Sequence, residues 1–142
     1  MKPRTQARSI ALQALYELDL TEHPVEEVLE HLLKTHPLET RYAEFAYKLV
    51  EGVYPMREEL DAFIADHAPD WPIDQISIID RNLVRMAMWE FAVNQDTPIK
   101  VAINEAVELA KAYGSDSAPR FVNGVLGSLA ERKNEINLAT NK

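Results

Sequence analysis

The chain has no cysteine, only four glycines, and no apolar run approaching the roughly 20 residues that span a bilayer. Without cysteine it forms neither disulfides nor thiolate metal sites. The glycines, at 52, 114, 124 and 127, build no loop of the kind that cradles phosphates in P-loop or dinucleotide-binding proteins. Positive charge is also scarce: 15 Lys and Arg face 23 Asp and Glu, a net charge of −8 that opposes nonspecific coating of nucleic acid. His23, His31, His36 and His67 show no metal-ligand spacing, and no motif such as HExxH occurs. Glu26 with Glu27 and Glu58 with Glu59 are sequence neighbours that point apart on a helix, so neither makes an acid/base pair. The serines at 9, 77, 115, 117 and 128 lack a nucleophile-elbow context. The expectation is a non-enzymatic protein without cofactor, metal or membrane association. The N-terminus lacks the apolar core of a secretory signal, which places the expected location in the cytoplasm.

What is present is helical periodicity. With 142 residues and 46% apolar content the chain has enough material for a buried interior. Ala7, Ile10, Ala11, Ala14, Leu15 and Leu18 recur at three-and-four spacing, predicting a first helix from about Thr5 to Leu20. Pro24 opens a second helix with Val25, Val28, Leu29, Leu32 and Leu33 inward and Glu26, Glu27 and Glu30 outward. A third, from about Leu38 to Tyr54, buries Tyr42, Phe45, Ala46, Leu49 and Val53 before Pro55 interrupts it. The period continues through Leu60 and Ile64. Two prolines within Ala68–Pro72 then break it, predicting a boundary between residues 1–70 and 71–142 of one compact globular unit. Beyond the break a helix from Ile73 carries Ile76, Ile79, Leu83, Met86 and Phe91, with Asp80, Arg81 and Arg85 among its polar positions. Helices from Pro98 to Tyr113 and from about Pro119 to Asn134 complete a second bundle, leaving a frayed tail at residues 136–142. The fold class is all-α, two small packed helical bundles.

Charge is unevenly distributed along this frame. Residues 1–16 carry Lys2, Arg4 and Arg8 with no acid, whereas residues 17–72 carry fourteen acids against four bases. The basic end reads either as a solvated tail or as a local anion-binding arm. In the stretch from Pro98 to Leu126, Asn104 and Asn123 sit among apolar neighbours and need exposure or hydrogen-bonding partners. Arg120 and Phe121, a cation and an aromatic, follow the turn at Gly114 and suit a phosphate and a base, or an ordinary core. Tyr16 lies off the apolar stripe, where its ring or hydroxyl is available. Gly124 and Gly127, each costing about 1 kcal/mol inside a helix, point to close helix approach.

The blocks ARSIALQALYELD, DRNLVRMAMWEF, PIKVAINEAVELAKAYG and RFVNGVL, in this order, closely resemble the NusB family of bacterial transcription antitermination and ribosomal-RNA processing factors. The resemblance spans nearly the whole chain. It implies an all-helical fold of two bundles and binding to the boxA element of ribosomal RNA together with NusE, a small-subunit ribosomal protein, within the RNA polymerase antitermination complex. The RNA-binding positions it implies are Lys2, Arg4, Arg8, Gln13, Tyr16, Arg120 and Phe121. It also implies a partner-binding helix offering Asp74, Asp80 and Arg85, whose acids complement a basic ribosomal protein. The contrasting reading is a helical interaction scaffold or homodimer with little RNA affinity of its own.

Overall fold

Pro3, with its backbone angle already set for a helix, opens α1 (Pro3–Leu20) two residues earlier than the apolar stripe predicts. The computed structural model describes the backbone of residues 1–140 and the side chains as far as Ile136. All of its regular elements among the described residues are helical. They fall into two units, residues 1–55 and 56–142.

In the first unit α1 packs against α2 (Val25–Thr35) and α3 (Thr40–Val53). Most of the predicted core is buried, with Ala7, Ile10, Ala11, Leu15 and Leu18 of α1 joined by Val28, Leu29, Ala46, Leu49 and Val53, whereas Val25, Leu32 and Leu33 of α2, expected inward, are half-buried. Glu26, Glu27 and Glu30 face water as the amphipathic pattern requires. Tyr42 and Phe45, expected in the buried stripe, are only half-buried. Both rings instead lie beneath arginine guanidinium groups.

The second unit begins one helix earlier than the proline break. After a 3₁₀ turn at Tyr54–Met56, α4 (Arg57–His67) packs on α5 (Ile78–Met88) and α7 (Ala118–Ala130), so the division falls at Pro55 rather than between residues 70 and 71. The two prolines shape a loop inside the unit, ending in a 3₁₀ turn at Ile73–Gln75. The α5 helix is central, touching α4, α6 (Ile99–Tyr113) and α7. Ser77 caps it by accepting the Asp80 backbone N–H at 3.1 Å. Its last turn widens into a π-helical segment, Trp89–Asn94, that ends at Gln95 with a left-handed φ of 64°. Buried Glu90 accepts the Thr97 hydroxyl at 2.9 Å and so ties this segment to the start of α6.

The predicted frayed tail is instead mostly helix. The chain turns after Ala130 into α8 (Lys133–Thr140), which packs on the π-helical segment and buries Ile136 completely. His67 Nε2 lies 2.7 Å from Glu135 Oε2, joining α4 to α8. Asn141 and Lys142, also assigned to that tail, lie outside the described residues.

Candidate nucleic-acid interface

The start of α1 has an electrostatically unusual composition. A helix N-terminus carries partial positive charge and favours acids, yet the first turn here has none and Lys2 at the cap position makes no side-chain capping bond. Lys2 and Arg4, both exposed, add cations to that positive end. The cost to the helix is of order 0.3–1 kcal/mol, and the gain is a local potential that attracts anions. Arg4 and Arg8 belong to the helix itself, and Lys2 caps it with extended backbone.

Arg4 and Arg8 are one turn apart, and their guanidinium carbons lie 4.7 and 5.0 Å from the centroid of the Phe45 ring on α3. Stacking of this kind holds a guanidinium in place without neutralising it. The two arginines nevertheless differ: Arg4 is exposed, whereas Arg8 is only 4% exposed. This corrects the expectation of three equivalent surface cations. Arg8 falls on the face that packs against α3, because it follows buried Ala7 and precedes buried Ile10 and Ala11. Phe45, read in the sequence only as part of the buried stripe, is the ring that both arginines approach. Gln13, half-buried, donates to Ser9 Oγ at 3.3 Å, and Tyr16 is 39% exposed.

The second unit holds its own set. Arg120 is exposed at the start of α7, and Phe121 is half-buried beside Trp71, their rings edge to face at 6.3 Å and 79°. Trp71 also sits against Gly124, where an added Cβ would lie 3.6 Å from its ring. Phe121, Trp71 and Asp80 line one cavity of about 410 Å³, together with Ser77, Gln75 and Ser117. An aromatic assigned to RNA and an acid assigned to a protein partner thus share one concave site. Trp71 belongs to it too, although in the sequence it marks only a break.

Asp80 is half-buried, and its Oδ1 is sealed from water without a hydrogen-bond partner. Burial pushes its carboxyl above the usual 3.8, more than the hydrogen bond with Ser77 lowers it. Asp74 is exposed on the 3₁₀ turn. That turn is held by Arg81, which donates to the Ile73 and Ile76 carbonyls at 3.1 and 3.3 Å. Arg85 departs from its expected place at the partner surface. It is 4% exposed, and its Nε and Nη2 donate to Asp61 Oδ1 and Oδ2 at 2.7 and 2.6 Å while Nη1 donates to Asn82 Oδ1. A buried guanidinium must be paired, and this bidentate bond fixes α4 to α5.

Asn104 and Asn123 meet their requirement by exposure. Of the glycines predicted to allow close approach, Gly127 is not needed for it: a Cβ added there would meet nothing within 4 Å. Gly114 does require its lack of a side chain, since a Cβ there would lie 2.5 Å from Ala118 Cβ and 2.9 Å from the Ala110 carbonyl. Among the described residues no group of three or more His, Cys, Asp or Glu is arranged to hold a metal ion, and no helix is long and apolar enough to cross a membrane.

The family model described as the NusB family matches residues 5–131. The chain belongs to the NusB family. Its relatives include the transcription antitermination protein NusB of Dehalococcoides mccartyi, 48% identical over 128 residues and 90% of each chain. The NusB of Bacillus subtilis is 43% identical over 132 residues, covering 91% of this chain and 95% of the relative. Among solved structures, T. maritima NusB superposes with a TM-score of 0.82 at 30% identity over 94% of this chain and 98% of the other. A complex of the antitermination factors NusB and NusE with double-stranded RNA contains a chain matching at a TM-score of 0.80 and 28% identity, over 98% of both.

Proposed function

We propose that this protein is a non-enzymatic, cytoplasmic RNA-binding adaptor of transcription antitermination. It binds the boxA element of ribosomal-RNA leader transcripts together with NusE, and supports ribosomal-RNA transcription and processing within the RNA polymerase antitermination complex. The observation carrying this reading is the likeness, over 98% of both chains, to the protein found with NusE and RNA. Lys2 and Arg4 engage phosphates, and Tyr16 and Phe121 offer rings to unstacked bases. Arg120 adds a cation beside Phe121, Gln13 serves as a polar contact, and Arg8 positions Arg4 through the shared Phe45 ring. Asp74 and Asp80 present the acids that meet a basic partner protein.

One observation favours the contrasting scaffold or homodimer reading: a net charge of −8 with one of the three N-terminal cations buried. Paired measurements on Phe121→Ala separate the two. If the ring stacks on a base, the variant loses about 1–3 kcal/mol of boxA affinity, and a scrambled RNA binds worse than boxA. Equal binding of boxA and scrambled RNA, with an effect of Phe121→Ala on melting alone, would refute the RNA role.

A further inference from the structure

A groove in the first unit uses none of the residues assigned above. Val25 and Glu26 of α2, Tyr47, Val50 and Glu51 of α3, and Tyr54 and Pro55 line a cavity of about 470 Å³. Val25, Val50 and Pro55 give it apolar surface, and the rings of Tyr47 and Tyr54 are half-buried in it. Glu26 and Glu51 are exposed carboxylates contributed by two different helices, and none of the lining residues is basic. The local field is negative: the Tyr47 phenol is pushed above its usual value of 10.0 by burial first, then by Glu30, Glu26 and Glu51.

Each part of this lining favours the same chemistry. Aromatic rings and carboxylates attract organic cations. Apolar surface between them is covered well by a methylene chain, which a hydrated metal ion lacks. The size favours a small molecule over a protein: the volume lies within the roughly 300–1,000 Å³ of ligand sites, and the seven lining residues fall well short of the about 20–30 on each side of a stable protein interface. We propose that this groove binds an aliphatic polyamine, its ammonium groups held by Glu26 and Glu51 and its methylene chain lying against Tyr47, Tyr54 and Val50.

Calorimetry and proton NMR of the full chain titrated with spermidine test the site, with magnesium at matched ionic strength as the charge-only control. Spermidine should bind saturably at one site and shift the Tyr47 and Tyr54 ring resonances, while magnesium leaves those rings unmoved. The double variant Glu26→Gln/Glu51→Gln alters two exposed side chains and should weaken spermidine about tenfold. Tyr47→Phe keeps the ring and should bind within about twofold of the parent, whereas Tyr47→Leu should bind more weakly. Spermidine binding no tighter than magnesium, ring shifts confined elsewhere, or undiminished affinity in the double variant would overturn the proposal. A lysine-bearing peptide that shifts the same rings at lower concentration than spermidine would overturn the choice of occupant.

Discussion

Arg4 and Arg8 approach one ring but have opposite relations to water, and substitution should separate their roles. Arg8→Ala removes a buried side chain from between α1 and α3 and should cost about 1–3 kcal/mol of stability. Arg4→Ala should change stability by less than about 1 kcal/mol. On single-stranded RNA it should lower the logarithmic salt slope by about 0.7, the share of a single neutralised phosphate. Thermal melts and salt titrations of both variants check this, and equal melting losses would contradict the assignment. Asp80 gives a prediction with a definite sign. Because burial raises its carboxyl above the unfolded value, the folded state holds the proton more tightly, and stability declines as pH rises from the unfolded value through the folded one. Asp80→Asn should therefore raise the melting temperature at pH 7, and the gain should shrink as pH falls through the raised folded value and be lost by about pH 4, where the unfolded carboxyl is also protonated. A gain that grows on acidification would contradict it.

The two glycines of the α6–α7 region make opposite predictions. Gly127→Ala places a methyl group in open space inside α7 and should stabilise the protein by about 1 kcal/mol. Gly114→Ala forces a methyl group against Ala118 and the Ala110 carbonyl and should cost about 1–3 kcal/mol. Denaturant unfolding of both variants decides the matter, and the same sign for both would show that space at these positions is misjudged. Elements were legible in the sequence wherever apolar period and proline agreed, as in α1, α2 and α6. They were less legible where a long-range partner decided the outcome. The assignment of α4 to the second unit depends on its packing against α5 and on the Asp61–Arg85 pair, 24 residues apart in sequence. The docking of α8 against the π-helical segment, with Ile136 fully buried, follows a run of charged residues, Glu131 to Lys133, that gives no sign of it in the sequence. The π-helical segment has no signature in periodicity, because Trp89, Glu90, Phe91 and Ala92 are all buried and leave no polar face from which a change of phase could be read.

For the whole molecule, charge sets the expected behaviour. A −8 protein with a small cationic patch has a weak general attraction for phosphate, so the RNA affinity proposed above must come from the patch, the rings of Tyr16 and Phe121 and a partner. Family membership was legible from four sequence blocks and is matched by the family model over residues 5–131. The exposure of individual candidates was not. Arg8 and Arg85 look like surface cations in sequence, and only packing and the carboxylate of Asp61 reveal them as interior. Phe45 and Trp71 look structural, and only their stacking with Arg4 and Phe121 brings them into the candidate sites. The most direct test of the account is the affinity of the full chain for boxA RNA, measured with and without saturating NusE at one fixed salt concentration. Positive coupling predicts tighter RNA binding in the presence of NusE, by about 5- to 150-fold, with Asp80→Arg weakening NusE binding and reducing the gain. Equal boxA affinity with and without NusE would contradict the account.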